Sequence, residues 1–268
     1  MGNQTPFKLE REGHIAWLIF NRPEKRNTMG LRFFESLQEH FRAFHRDPEV
    51  RVVVLRAEGK SFTAGTDLFE MGPLIQGEDA GFREGLRENL LMLQQAIGAV
   101  ERCRKPVIAA VHGHCIGGGV DLLSACDIRM ATRDAVFAVR ETKVAVIADL
   151  GTLQRLPSLI GHGPARELVL TGRNFTAEEA LRIGFITHLS ENRESMYQEA
   201  TRLAAEIAAS SPLSVQGAKE VILFSRDHGI QAGLEYVAQK NAAVLRSEDL
   251  MEAVRAFMEK RTPVFRGK

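Results

Sequence analysis

Three acids stand among small or apolar neighbours in the middle of this 268-residue chain. Asp121 follows the glycine triplet Gly117 to Gly119 in HGHCIGGGVDLLSACD, and Glu141 and Asp149 lie in FAVRETKVAVIADLGTLQRL. A carboxyl in apolar surroundings has its pKa raised, which suits proton transfer near neutrality. Asp149 stands out, flanked by Val146, Ile147, Ala148 and Leu150. Plainer uses stay open for each acid. Asp149 could N-cap the helix that LGTLQRLPSLIG opens, Glu141 could pair with Arg140 or Lys143, and Asp121 could sit at the favourable end of a helix dipole.

The glycines point to a second kind of chemistry. A glycine-rich turn between a strand and a helix lets backbone N–H groups approach a ligand closely. The phosphate-binding patterns do not fit: there is no GxGxxG, and the GKS at Gly59 to Ser61 has Val54 where a P-loop needs glycine. A second such loop, SFTAGTDL, also follows a strand. One N–H from each loop could converge on a single oxygen and form an oxyanion hole, each donor stabilising the transition state by about 3 kcal/mol. Tight helix–strand packing is the alternative use of the triplet.

These groups need a scaffold. HIAWLIF, VRVVVLRA and KPVIAAVHG read as buried strands. Leu31, Phe34, Leu37, Phe41 and Phe44 recur at helical spacing until Asp47-Pro48, and LRENLLMLQQAIGAVERC gives a second helix. MGPLIQGEDAGFREG has weak periodicity and is expected to be a mobile loop. From about residue 190 strand signals stop, and four successive helices are expected. The rhythm is α/β, with residues 1–190 as the core and 191–268 as a helical region for packing and oligomerisation.

SFTAGTDL, PVIAAVHGHCIGGGVDLLSACDIRMAT and GTLQRLPSLIG resemble the enoyl-CoA hydratase/isomerase (crotonase) superfamily over nearly the whole chain. The resemblance implies a spiral of ββα units, a C-terminal helical region that forms trimers or hexamers, and an acyl-CoA thioester as substrate. It implies no separate cofactor, since coenzyme A is part of the substrate. It places the oxyanion donors at Thr66 and Gly118, with Ala64, Gly65, Thr66, Asp67, Leu68 and Gly118 along the acyl-CoA. The trio Asp121, Glu141 and Asp149, with SRDH at Ser225 to His228, is similar to the Δ3,5-Δ2,4-dienoyl-CoA isomerase branch. That branch belongs to fatty-acid β-oxidation. Hydratases carry glutamate at the first position and no acid at the third. Two departures are Ala145, where glycine is usual, and Thr142-Lys143, where an apolar residue and an acid are expected. The resemblance implies Glu141 beside C2 and Asp149 beside C6, one acting as base and the other as acid, with Asp121 tuning the pair.

A straight helix from Glu141 to Asp149 would separate them by about 12 Å and roughly 80° around the axis. The helix must therefore end or bend between Val144 and Asp149. His112 and His114 have no nucleophile to serve, Cys115 has no base to activate it, and Asp127 is expected to tie down the next strand.

Composition narrows the classes further. Lys plus Arg number 35 and Asp plus Glu 34, so there is no general basic footprint for nucleic acid. RNA binding, known for some crotonase-like proteins, would need a basic surface helix, and RESMYQEATRLAAEIAAS is mixed in charge. No apolar run reaches the length of a membrane span. Three widely spaced cysteines and no signal-peptide pattern give a cytoplasmic expectation. Hydration of an enoyl-CoA by Asp121 and Glu141 is the alternative activity.

Overall fold

The computed structural model describes residues 5–72, 76–77 and 79–268. In chain order these form β1 (Phe7–Glu12), β2 (Ile15–Phe20), α1 (Leu31–Arg46), β3 (Val52–Ala57), α2 (Leu68–Met71) and α3 (Ala80–Glu101). The middle of the chain gives β4 (Val107–Val111), β5 (His114–Ile116), α4 (Gly118–Ser124), β6 (Ile128–Thr132), β7 (Val136–Ala138), α5 (Thr152–Ile160) and α6 (His162–Thr171). β8 (Phe175–Thr176), α7 (Ala177–Arg182), β9 (His188–Ser190), α8 (Arg193–Ala209), α9 (Pro212–His228), α10 (Ile230–Val244) and α11 (Glu248–Glu259) complete it.

The main sheet runs β1-β2-β3-β4-β6-β9, antiparallel at its first pair and parallel thereafter. A small sheet, β5-β7-β8, stands beside it. The apolar runs of β2, β3 and β4 have the composition of strands covered on both faces, and their period of two divides them between two cores. Ala16, Leu18, Phe20, Val53, Leu55, Val107 and Ala109 face the larger core with α1, α3 and α4. Ile15, Trp17, Ile19, Val52, Val54, Ile108 and Ala110 face the opposite side.

That opposite side is covered by α8. Its small residues Ala200, Ala204 and Ala208, with Met196, recur every fourth position and let the helix lie close to the sheet. Asn192 accepts from Ser195 N–H and closes a capping box at its start. Residues 191–209 are thus part of the core packing, and the change of packing falls after α8 rather than at residue 190. α9 and α10 pack chiefly on each other, and in them only Lys219 and Gly233 are buried. Among the described residues no helix is long and apolar enough to cross a membrane.

The loop expected over residues 71–85 is corrected in part. α3 begins at Ala80, because the Asp79 side chain accepts from Phe82 N–H and starts the helix ahead of its apolar stripe. Residues 73–75 and 78 lie outside the described part.

Candidate active site

The loop 63–67 is clamped between two neighbours. It meets β5 through Thr63 N–H to His114 O and Ile116 N–H to Thr63 O, and it meets the 26–29 segment through Ala64 N–H to Arg26 O and Asp67 N–H to Met29 O. Gly65 N–H donates to Thr63 Oγ1. Four of the five N–H groups are therefore spent, and Thr66 N–H donates to nothing among the described residues. Asn27 secures the arrangement by donating to Glu58 O and Ser61 O and accepting from Arg22 N–H.

The triplet has three separate reasons to be glycine. Gly117, at φ 54° and ψ −120°, takes a conformation that L side chains rarely adopt. A Cβ on Gly118 would lie 2.6 Å from Met29 Cε and 2.8 Å from Thr66 Oγ1, and one on Gly119 would lie 2.5 Å from Thr63 Cγ2. The absence of side chains brings the start of α4 against the 63–67 loop, with Thr66 N 3.7 Å from the Cβ position of Gly118. Gly117 N–H is used on Ala138 O, whereas Gly118 N–H, at the helix N-terminus, has no acceptor among the described residues.

A cavity of about 300 Å³ opens beside these two N–H groups, lined by Asp121, Glu141 and Asp149 together with Leu90, Leu93, Val146 and Leu150. Ala64, Gly65, Thr66 and Leu68 also line it. Asp67 does not: its carboxylate caps α2 through Glu70 N–H and accepts from Thr28 Oγ1. Asp67, expected along the acyl-CoA, thus holds its own loop and stands outside the lining of this cavity.

Asp121 is 1% exposed. Its Oδ1 accepts Thr152 N–H at 2.6 Å, the first residue of α5. Burial pushes its pKa up to about 6, against the pull of Thr152 and with a further rise from the charge of Asp149. Glu141 opens a 3-10 turn, Glu141–Val144, that ends at Ala145 in the left-handed region, φ 59°. The chain is not helical from there to Asp149, so the break required between Val144 and Asp149 is present. Burial first, and then the charge of Asp121, push Glu141 up to about 7. Its Oε1 lies 3.3 Å from the Cβ position of Gly117, and its Oε2 is buried without a hydrogen-bond partner. Asp149 is half-buried, and burial raises its pKa as well. Gln94 of α3 holds its backbone carbonyl at 2.8 Å.

Asp149 does not cap the following helix. Gly151 occupies the cap position of α5 without a side-chain bond, and Asp121 supplies the carboxylate from 31 residues upstream. Glu141 forms no salt bridge with Arg140 or Lys143; Arg140 instead bonds Asn174. Asp127 ties down β4 by accepting from Val107 N–H, and it also accepts from Lys219 of α9. His112 is a buried hydrogen-bonding residue beside Gly59 O and Tyr197 OH, its pKa pushed down by burial to about 4. Asn27, Gln94 and Thr152 gave no signal in the sequence, since each acts on a segment far from it along the chain.

The profile of the enoyl-CoA hydratase/isomerase family matches residues 10–268. The chain belongs to that family. A peroxisomal Δ3,5-Δ2,4-dienoyl-CoA isomerase of Arabidopsis thaliana is 45% identical over 95% of this chain and 93% of its own length. A mitochondrial isomerase of the same name from Mus musculus is 43% identical over 92% of this chain and 77% of its own. An enoyl-CoA hydratase from Bacillus anthracis superposes with a TM-score of 0.90 at 33% identity, over 98% of this chain and all of that one. This enzyme therefore has the crotonase fold, α/β with a helical C-terminal region. The organelles in the relatives' names overturn the cytoplasmic expectation. Free thiols and a balanced charge constrain the redox setting of a protein, and they do not carry its address.

Proposed function

We propose that the protein isomerises a 3,5-dienoyl-CoA to the 2,4-dienoyl-CoA. The observation that carries this reading is the presence of three carboxyls on one apolar cavity beside two unspent N–H groups, with the chain turned at Ala145 so that Glu141 and Asp149 both line it. The names of the relatives support it.

In this mechanism the thioester oxygen lies between Thr66 N–H and Gly118 N–H. Glu141, next to Gly117 and so on the thioester side, removes the C2 proton. The C2–H electron pair becomes the C2=C3 bond, the C3=C4 pair shifts to C4=C5, and the C5=C6 pair takes the proton of Asp149 to form the new C6–H bond, leaving Glu141 protonated and Asp149 ionised until solvent resets them. The two N–H groups stabilise the negative charge that accumulates on the thioester oxygen. Two acids are needed because C2 and C6 are too far apart for one carboxyl. A base poised near neutrality suits the first step. The acyl chain covers half-exposed Asp149 and favours its protonated form. Coenzyme A enters as part of the substrate, and the reaction needs no other cofactor. It belongs with the oxidation of unsaturated fatty acids.

We also read the tail as a self-association surface. Ile222, Ile230, Leu234 and Phe257 are 58–85% exposed in the single chain, on helices that bury little of themselves. Apolar exposure of this extent fits a homotrimer, or a hexamer made from two.

Hydration is the second reading, and the unpartnered Glu141 Oε2 favours it, since that atom suits a water. One assay separates the two. Protein is added to a 3,5-dienoyl-CoA and the ultraviolet band of the conjugated 2,4-dienoyl thioester is followed. Turnover lost in both Asp149→Asn and Glu141→Gln supports the isomerase. No turnover, with hydration of a 2-enoyl-CoA that survives Asp149→Asn, makes it a hydratase.

A further inference from the structure

Asp149, the acid assigned to C6, lies in a stretch that its own backbone does little to hold. The stretch is bounded by Ala145 at φ 59° and Gly151 at φ 122°, both at positive φ. Among the described residues, no backbone–backbone hydrogen bond involves residues 147–150. Ala148 and Leu150 are buried in the main core and anchor the chain on either side of Asp149. Apolar packing is non-directional, so it fixes the course of the chain more firmly than the rotation of each peptide plane. A directional tie comes from α3. Gln94 Nε2 donates to Asp149 O at 2.8 Å, across 55 residues. Leu90 and Leu93 of the same helix line the cavity, whereas Gln94, one turn after Leu90, does not. Two turns further along, Glu101 accepts from Arg155 Nε and Nη2 at 3.0 and 3.1 Å and ties α5 to α3 as well. Because the peptide unit is planar, holding the carbonyl of residue 149 sets ψ there, and with it the direction in which the side chain leaves.

We propose that Gln94 is a positioning residue of this site: its amide holds the Asp149 carbonyl, so that the Asp149 carboxyl stays aimed at C6 while Glu141 removes the proton at C2. The inference rests on the isomerase reading. Its consequence falls on one of the two proton transfers. Glu141 is placed by the 3-10 turn Glu141–Val144, which ends before this stretch begins. The N–H groups of Thr66 and Gly118 belong to other elements again. Loss of the Gln94 amide therefore spares abstraction at C2 and impairs delivery at C6.

The test exploits that division in D2O. Glu141 takes the C2 proton, exchanges it with solvent and returns a deuteron to C2, which re-forms the 3,5-dienoyl-CoA with a C2–D bond. When Asp149 delivers first, the C5=C6 pair takes its deuteron and the 2,4-dienoyl-CoA is released. Product is followed by its ultraviolet band, and deuterium in recovered substrate by mass spectrometry. Gln94→Met keeps the length and helix propensity of the side chain and deletes the donor. It is expected to lower kcat about ten- to hundredfold, up to the cost of a misplacement of about 1 Å. Deuterium continues to enter C2, so the ratio of deuterated substrate to product rises by at least the same factor. Asp149→Asn raises that ratio further, and Gln95→Met, the same change at the next exposed position, keeps the wild-type ratio. An unchanged ratio in folded Gln94→Met overturns the proposal, whether product formation is unaffected or both transfers fall together. If circular dichroism shows the methionine variant unfolded, Gln94→Ala takes its place. A wild type that forms no 2,4-dienoyl-CoA sinks the isomerase reading, and the role of Gln94 in proton delivery with it.

Discussion

α4 buries all seven of its residues, whereas α9 buries one, Lys219, of seventeen. α4 is enclosed because glycine lets it approach the 63–67 loop, and Val120, Leu122 and Leu123 then enter the main core. Its one acid is carried inside with them, and its altered pKa follows from that enclosure. α9 holds apolar side chains that its own chain leaves in water, such as Ile222. The first helix is made by intramolecular packing and carries the acid and the N–H group that we assign to the site. The second is incomplete in one chain, and we read its missing surface as another copy.

The comparison can be broken most sharply at the site. Glu141→Gln is expected to lower kcat by about 10² to 10⁴, the usual contribution of a positioned acid or base. The same change should raise Tm at pH 8 and leave it little changed at pH 5. The sign follows from a folded pKa of about 7 against 4.5 unfolded. The folded state prefers the protonated form, so its stability is greatest below pH 4.5 and declines as pH rises through 7. A variant that loses activity without gaining stability at pH 8 would show that Glu141 is not under this burial penalty.

Gly118→Val comes next. The added Cβ meets Met29 and Thr66, the donor pair is forced apart, and kcat falls about 10² to 10³, as for the loss of one oxyanion donor. On the α9 side the expected effect is on assembly. If the proposed self-association holds, Ile230→Asp with Leu234→Asp, two exposed positions of α10, should give a smaller species than wild type in sedimentation while leaving the far-ultraviolet spectrum of the core intact. An unchanged sedimentation coefficient would remove this face from the interface. The smallest effect is at Ala145→Gly, which relieves a left-handed alanine and should stabilise the protein by about 0.5–1 kcal/mol in denaturant unfolding.

The same contrast accounts for what could be read in the sequence. β2, β3 and β4 were legible because residues buried on both faces leave an unbroken apolar run. β1, FKLERE, was not, since it is an edge strand whose residues after Phe7 are all exposed and whose composition resembles a surface loop. Asp121 and Asp149 were legible by their small or apolar neighbours, Glu141, between Arg140 and Thr142-Lys143, by the family resemblance, and the four tail helices by periodicity. The connections between segments were not. Asp121 capping α5 joins residues 31 apart and Gln94 holding Asp149 O joins residues 55 apart, and neither leaves a local pattern. The loop-holding bonds of Asp67 were not legible either, since its loop touches the cavity while its side chain turns to α2 and Thr28.

The three glycines at the start of α4 differ in what a protein engineer could do with them. At Gly118 and Gly119 the obstacles are side chains, Met29 and Thr66 for one and Thr63 and Cys115 for the other, so trimming a neighbour could make room for a methyl group. At Gly117 the obstacle is the backbone angle itself, and no change in the surroundings removes it. A library that varies this loop together with its neighbours therefore has two adjustable positions and one fixed point. That fixed point sits between the strand that ends at Ile116 and the N–H group we assign to the thioester.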